Sequence, residues 1–229
     1  TMRVALLVMD GMAFDQWLAL KNQLPAGCKI TESACFAWVP TITSLSRQAI
    51  FAGKAPRHFS GSIDHTNKEK SLWKTYWQDQ GLSPSAVYYQ RAIDDSDLDQ
   101  VLESLSDPRL KSVGLVCNAV DDRMHGALDG LSGLHVLLQH WVKAGFFNQL
   151  ISGLIELGYE VVITADHGNA QAIGQGKPAE GVISERHERA RIYNEEILRD
   201  EALNKFDGIK WPVNFGLPDD YLPVLAKGR

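Results

Sequence analysis

Short apolar runs that end on a polar or acidic residue, each followed by a helical pattern, restrict this chain more than any other feature. "VALLVM" at residues 4 to 9 has no polar alternation, which fits a strand buried on both faces, and Asp10 and Gly11 follow it directly. A helical pattern then runs to about Leu20. The same alternation continues with strands expected at "KITESACFAWVP" (29 to 40), "SAVYYQ" (85 to 90), "SVGLVCNAV" (112 to 120), "YEVVIT" (159 to 164) and "ARIY" (190 to 193). Helices are expected at 44 to 53, 67 to 80, 95 to 106, 132 to 157 and 194 to 203, the first two stopped by Gly53 and Gly81. Strands alternating with helices imply an α/β domain, a three-layer α/β/α sandwich around a mostly parallel central sheet. Trp73, Tyr76 and Trp77 lie at helical spacing and read as packing rather than a stacking platform.

Composition narrows the class. With 229 residues, 45% apolar and 22% charged, the chain reads as one globular domain spanning 1 to 229 with a single large core. Its start almost on a strand and its close at "LAKGR" read as a domain cut from a longer protein, Thr1 being a remnant of expression. No apolar run is long enough to span a bilayer and no signal-peptide pattern opens the chain, so the expectation is a cytoplasmic protein without a membrane partner. Cys28, Cys35 and Cys117 lack metal-type spacing and fit reduced thiols. A formal charge of −5 opposes an extended nucleic-acid-binding face but leaves room for a local basic pocket.

Ligands of open parallel sheets bind beyond the carboxyl ends of the strands. At those ends stand Asp10; "PTIT", with Thr41 and Thr43; Asp121, Asp122 and His125; Asp166 and His167; and His187, after a loop from 169 to 187 that holds Gly174, Gly176 and Gly181. Singly, Asp10 and Asp166 suit turns, Asp122 competes with Asp121, and His187 suits a solvated charge cluster. Together they are the carboxylates, hydroxyl and imidazoles that divalent metals take, and two ions about 4 Å apart clamp the oxygens of a phosphoryl transfer. His135 and His140 lie in a helical stretch, five residues apart, and do not share a face; His58 and His65 fall in a loop and are expected to be exposed.

The order Asp, Pro-x-x-Thr opening a helix, Asp-x-x-x-His, Asp-His-Gly and a late His resembles the metal site of the alkaline phosphatase superfamily, most closely its phosphodiesterase branch. "VMDGMAFDQW", "PTITSLSRQAIFAG", "NAVDDRMHG", "VVITADHGN" and "RHERARIY", between residues 8 and 193, are more narrowly similar to the PglZ domain of BREX-type phage-defence systems. The resemblance implies an alkaline phosphatase-like fold and two divalent metals, zinc first, with manganese or magnesium as alternatives. Asp10, Thr43, Asp166 and His167 would surround one ion, and Asp121, His125 and His187 the other. Thr43 would be the nucleophile, with Thr41 and Ser44 as rival hydroxyls. A helix N-terminus beside it offers free N–H groups to phosphoryl oxygens. Arg47, one turn on, is placed to reach substrate or to pair with a carboxylate, and Arg186 is the arginine near His187 best placed for phosphate.

The implied activity is metal-dependent phosphodiester hydrolysis of nucleic acid or nucleotides in phage defence, alongside other defence proteins. The alternatives are a phosphomonoesterase of the same superfamily and a metal-binding scaffold module with little catalysis. Residues 54 to 82 are the one stretch that suits an inserted cap.

Overall fold

Four strands, β1 (Arg3–Met9), β2 (Val87–Gln90), β3 (Ser112–Cys117) and β4 (Tyr159–Thr164), form a parallel sheet in the order β2-β3-β1-β4. The structure is a computed structural model, and it describes residues 2–127, 130–174, 176, 182–183 and 185–228. Thr1 and Gly181, both named above, lie outside the described residues.

Eight α-helices are described: α1 (Phe14–Lys21), α2 (Thr43–Ala52), α3 (Glu69–Asp79), α4 (Leu98–Leu105), α5 (Ala119–Gly126), α6 (Gly130–Ala144), α7 (Phe146–Glu156) and α8 (Glu196–Leu203). Side chains alternate across a strand, so β1 serves two cores. Ala5, Leu7 and Met9 pack with Leu105 of α4, Leu138 and Trp141 of α6, and Phe147, Leu150 and Leu154 of α7. Val8, on the opposite face, packs with Phe51 of α2 and Trp73 of α3. These are the three layers, and the fold is α/β with a parallel central sheet.

Trp73 sets its ring edge against Phe51 at 5.5 Å and donates its indole N–H to the Tyr88 carbonyl at 3.0 Å, so the aromatic stripe is packing. It also makes α3 part of a covering layer, so the main element of the stretch suited to a cap belongs to the sandwich. Gly114 of β3 leaves the space those rings fill: a Cβ there would lie 3.0 Å from both Phe51 and the Trp73 ring nitrogen. Gly114→Ala should destabilise the protein by about 1–3 kcal/mol through overpacking, read as a lower urea midpoint at unchanged slope. An unchanged midpoint would show that the rings have room to give.

The structure departs from the sequence reading in four places. Residues 29–38 form no strand and are mostly exposed, Phe36 wholly so: residues 34–39 are apolar without a break, but among the described residues no strand of either sheet pairs with them. The segment written as "SVGLVCNAV" leaves the sheet at Cys117, and α5 starts at Ala119, which puts Asp121, Asp122 and His125 on a helix. Gly145, at φ +93°, divides the expected helix of 132 to 157 into α6 and α7, a conformation a side chain would strain. The chain after residue 184 builds a second, antiparallel sheet from β5 (Glu185–Arg186), β6 (Ala190–Tyr193), β7 (Gly208–Lys210) and β8 (Leu222–Ala226), in the order β5-β6-β8-β7. Among the described residues no helix is long and apolar enough to cross a membrane.

Candidate active site

Asp10 leaves the carboxyl end of β1 with its amide bonded to the Cys117 carbonyl at 3.0 Å. Gly11 then turns the chain at φ +67°, where a Cβ would stand 3.2 Å from Asp121 Oδ1. Its amide donates to Asp166 Oδ1 at 3.1 Å, and the His167 amide donates to the same oxygen at 2.9 Å. Asp166 thus ties the loop after β4 to the loop after β1. A second tie comes from Gln16 of α1, which is fully buried. Its Oε1 accepts from the Ala13 amide and from Asn169 Nδ2, each at 2.9 Å, and its Nε2 donates to Asn169 Oδ1 at 3.0 Å. Asn169 also donates to the Gly11 carbonyl at 2.8 Å.

The free ends of these groups meet. His167 Nε2 lies 3.8 Å from Asp10 Oδ1, 3.8 Å from Asp166 Oδ2 and 2.9 Å from Thr43 Oγ1. The other ring nitrogen, Nδ1, is 2.9 Å from the Gly168 carbonyl. A carbonyl only accepts, so Nδ1 carries a proton, and in the neutral ring that leaves the Nε2 lone pair facing the cluster. Asp10 Oδ1 and Asp166 Oδ2 are buried and have no hydrogen-bond partner. Leaving such oxygens unpaired costs about 1–3 kcal/mol each. Among the described residues, Asp10, Asp166 and His167 are the acidic and histidine groups whose donor atoms gather within 4.8 Å of one another. Two orphaned carboxylate oxygens and an imidazole lone pair form a donor set that fits a divalent cation.

Of the three hydroxyls around the start of α2, Thr43 alone meets the cluster. Thr41 is exposed, and Ser44 is buried with its hydroxyl donated to the Ile63 carbonyl at 2.7 Å. Arg47 is buried and donates Nη1 to Asp10 Oδ2 at 2.5 Å and Nε to Glu69 Oε1 at 2.8 Å, so it pairs with carboxylates. Burial works against its charge, and Glu69, then Asp10, more than restores it, leaving its pKa above the ordinary value.

Asp121 sits half-buried on α5, its Oδ1 facing Gly11, with His125 Nε2 3.6 Å from its Oδ2. Burial, and then the charge of Asp10, raise the pKa of Asp121. Asp122, the competing carboxylate, is exposed. His187, between β5 and β6, lies 3.0 Å from Glu185 Oε2, and Arg186 is exposed on β5. Asp121, His125 and His187 do not join in a cluster of the kind formed by the first three, among the described residues. His58 is exposed, whereas His65 is half-buried.

Sequence reasoning passed over Gln16, Asn169 and Glu69. Asn169 lies inside "VVITADHGN", the one available signal; Gln16 and Glu69 read as ordinary polar residues of helices, and only the tertiary fold buries them.

Burial, and after it the charge of Asp166, push the Asp10 carboxyl from 3.8 to about 7, against the pull of Arg47. Between those values the folded, metal-free protein holds a proton that the unfolded chain releases, so stability is lost as pH rises from about 4 through 7. The melting temperature of chelator-treated protein should therefore fall between pH 5 and pH 8, and Asp10→Asn should flatten that dependence. A wild-type profile that is level or rises over the same interval would contradict this assignment.

A family model described as the BREX system PglZ alkaline phosphatase-like domain matches residues 1–205. The chain belongs to the PglZ family. The match spans every site residue above and stops before β7 and β8 of the second sheet. No sequence match was found among curated proteins. Among solved structures, this PglZ domain is similar to murine ectonucleotide pyrophosphatase/phosphodiesterase 5, in an inactive threonine-to-alanine variant complexed with AMP. That likeness has a TM-score of 0.70 at 12% identity, over 99% of this chain and 79% of the other, and supports an alkaline phosphatase-like fold.

Proposed function

We propose that this PglZ domain is a metal-dependent phosphoesterase that cleaves phosphodiesters, with Thr43 as the nucleophile. The observation that carries the reading is Thr43 Oγ1, 2.9 Å from His167 Nε2, beside two buried carboxylate oxygens that lack partners. Divalent cations at such a site, zinc first and manganese or magnesium as alternatives, polarise phosphoryl oxygens and lower the pKa of a hydroxyl. Asp10, Thr43, Asp166 and His167 would hold one ion, and Asp121, His125 and His187 the second.

Thr43 stands at the first position of α2, whose start no side chain caps, and the amides of a helix N-terminus favour an anionic group. Its Oγ1 would attack phosphorus in line as the hydroxyl gives up its proton; one P–O ester bond breaks, that oxygen leaves as an alcohol, and water then cleaves the phosphodiester formed on Thr43, releasing the phosphomonoester and restoring the hydroxyl. Arg47 holds Asp10 in place, and Arg186 meets the phosphate. AMP in the solved neighbour, and its inactivation by loss of a threonine, support a nucleotide or nucleic-acid substrate and a threonine nucleophile. The family's BREX context supports a role in phage defence with other defence proteins, in the cytoplasm.

Hydrolysis of bis-p-nitrophenyl phosphate and of p-nitrophenyl phosphate, each with added zinc or manganese, tests the reading. Faster turnover of the diester is expected. A clear preference for the monoester would make the domain a phosphatase. The wider spacing of Asp121, His125 and His187 favours a second reading, a metal-binding scaffold module; phage resistance that survives both Thr43→Ala and His167→Ala would support it.

A further inference from the structure

Behind the cluster lies a chain of buried charges that no metal-ligand pattern requires. Arg47 bridges Asp10 and Glu69, and the Tyr89 hydroxyl donates to the second oxygen of Glu69. Glu69 opens α3 and has no exposed surface; Asp10, Arg47 and Asp166 are also buried. Solvent and salt therefore do little to screen these charges from one another. Both Glu69 oxygens accept hydrogen bonds, one from a guanidinium N–H and one from a phenol.

We infer that Glu69 is a charge-balancing residue for the metal site: it neutralises Arg47, so that Asp10 and Asp166 present two uncompensated negative charges to a divalent cation. The inference rests on the metal reading proposed above. Without Glu69, the guanidinium against Asp10 Oδ2 would cancel half of that charge. With it, the ion pair Arg47–Glu69 is neutral as a unit, and Arg47 still fixes Asp10 through one oxygen while Oδ1 stays directed at His167. Three carboxylates and one guanidinium then leave a net charge that one divalent ion neutralises. Glu69 touches neither substrate nor cation on this account and acts through Arg47.

A structural role for Glu69, merely joining α3 to α2, makes the opposite prediction for two variants. Glu69→Gln keeps length and hydrogen-bonding capacity but loses the charge; Glu69→Asp keeps the charge but loses a methylene. Zinc affinity is measured on the whole chain by competition with a chromophoric chelator. E69Q should bind zinc about 10- to 100-fold more weakly than wild type, the size expected for losing one charge beyond Arg47 at an effective dielectric constant of about 20, and E69D within about threefold of wild type. E69Q binding as tightly as wild type, or E69D as weakly as E69Q, overturns the inference while leaving the metal reading intact. If E69Q does not fold, E69D decides: a loss beyond about tenfold overturns it and retained affinity supports it. Wild-type protein that takes up no zinc at the Asp166 cluster, shown by equal uptake in Asp166→Asn, fails the metal reading itself and the inference with it.

Discussion

Replacing Thr43 with alanine is expected to lower metal-dependent diester hydrolysis by roughly 10³-fold or more, the scale of losing an attacking hydroxyl, with little change in fold. The neighbouring hydroxyls offer no substitute. Thr41 is exposed outside the helix, and Ser44 is turned inward with its hydroxyl held by the Ile63 carbonyl at 2.7 Å. Nor does Thr43 carry the helix start: Ile42 is the capping residue, and no side chain caps α2. Alanine is a good helix former, so the stability cost should stay below about 1 kcal/mol. Thr43→Ser, which keeps the oxygen, should retain most of the activity. Turnover of the alanine variant at the wild-type rate would remove Thr43 from the chemistry, and rapid-quench detection of a phosphoprotein in wild type alone would confirm its role.

The parts of the site that were legible in the sequence are those fixed by local pattern. An unbroken apolar run marked β1 and "YEVVIT" marked β4, and the residues just beyond them, Asp10, Asp166 and His167, meet in space because parallel neighbours end on the same side of a sheet. Gly53, left-handed at φ +59°, closed α2 where a glycine was expected to close it. What stayed hidden depends on contacts between distant segments. Glu69 looks like one more charge in "NKEKSLWK", and it is buried only because α3 lies on α2 and β2, where Arg47 and Tyr89 reach it. Residues 29 to 38 misled for the converse reason: the apolar run that starts at Ala34 suggests a strand, but a strand needs a neighbour and a face to bury, and Phe36 has neither. Of the second sheet only β6, "ARIY", was legible; β5 and β7 are two and three residues long, and β8 carries Pro223 inside it.

Asp166 should show the largest effect on metal binding, because its two oxygens do different work. Oδ1 accepts the Gly11 and His167 amides and holds two loops together; Oδ2 faces the cluster with no partner. Asparagine separates the two functions. In Asp166→Asn the retained Oδ1 keeps both amide bonds, and the charge beside Asp10 disappears, so the metal-free variant should melt at or above the wild-type temperature. Zinc affinity should nevertheless fall by about 100-fold or more, beyond the loss typical of a supporting residue outside the ligand shell. At a zinc concentration about 100 times the wild-type Kd, wild type gains about 2.7 kcal/mol of stability by mass action, a gain that should nearly vanish in the variant. Asp166→Ala loses the metal too, but it also strands two buried N–H groups at about 1–3 kcal/mol each, so it should melt below wild type even without metal. If Asp166→Asn kept the zinc-induced stabilisation, the unpaired Oδ2 would have to be explained as a cost of holding the loops, and the cation would have to be sought among Asp121, His125 and His187.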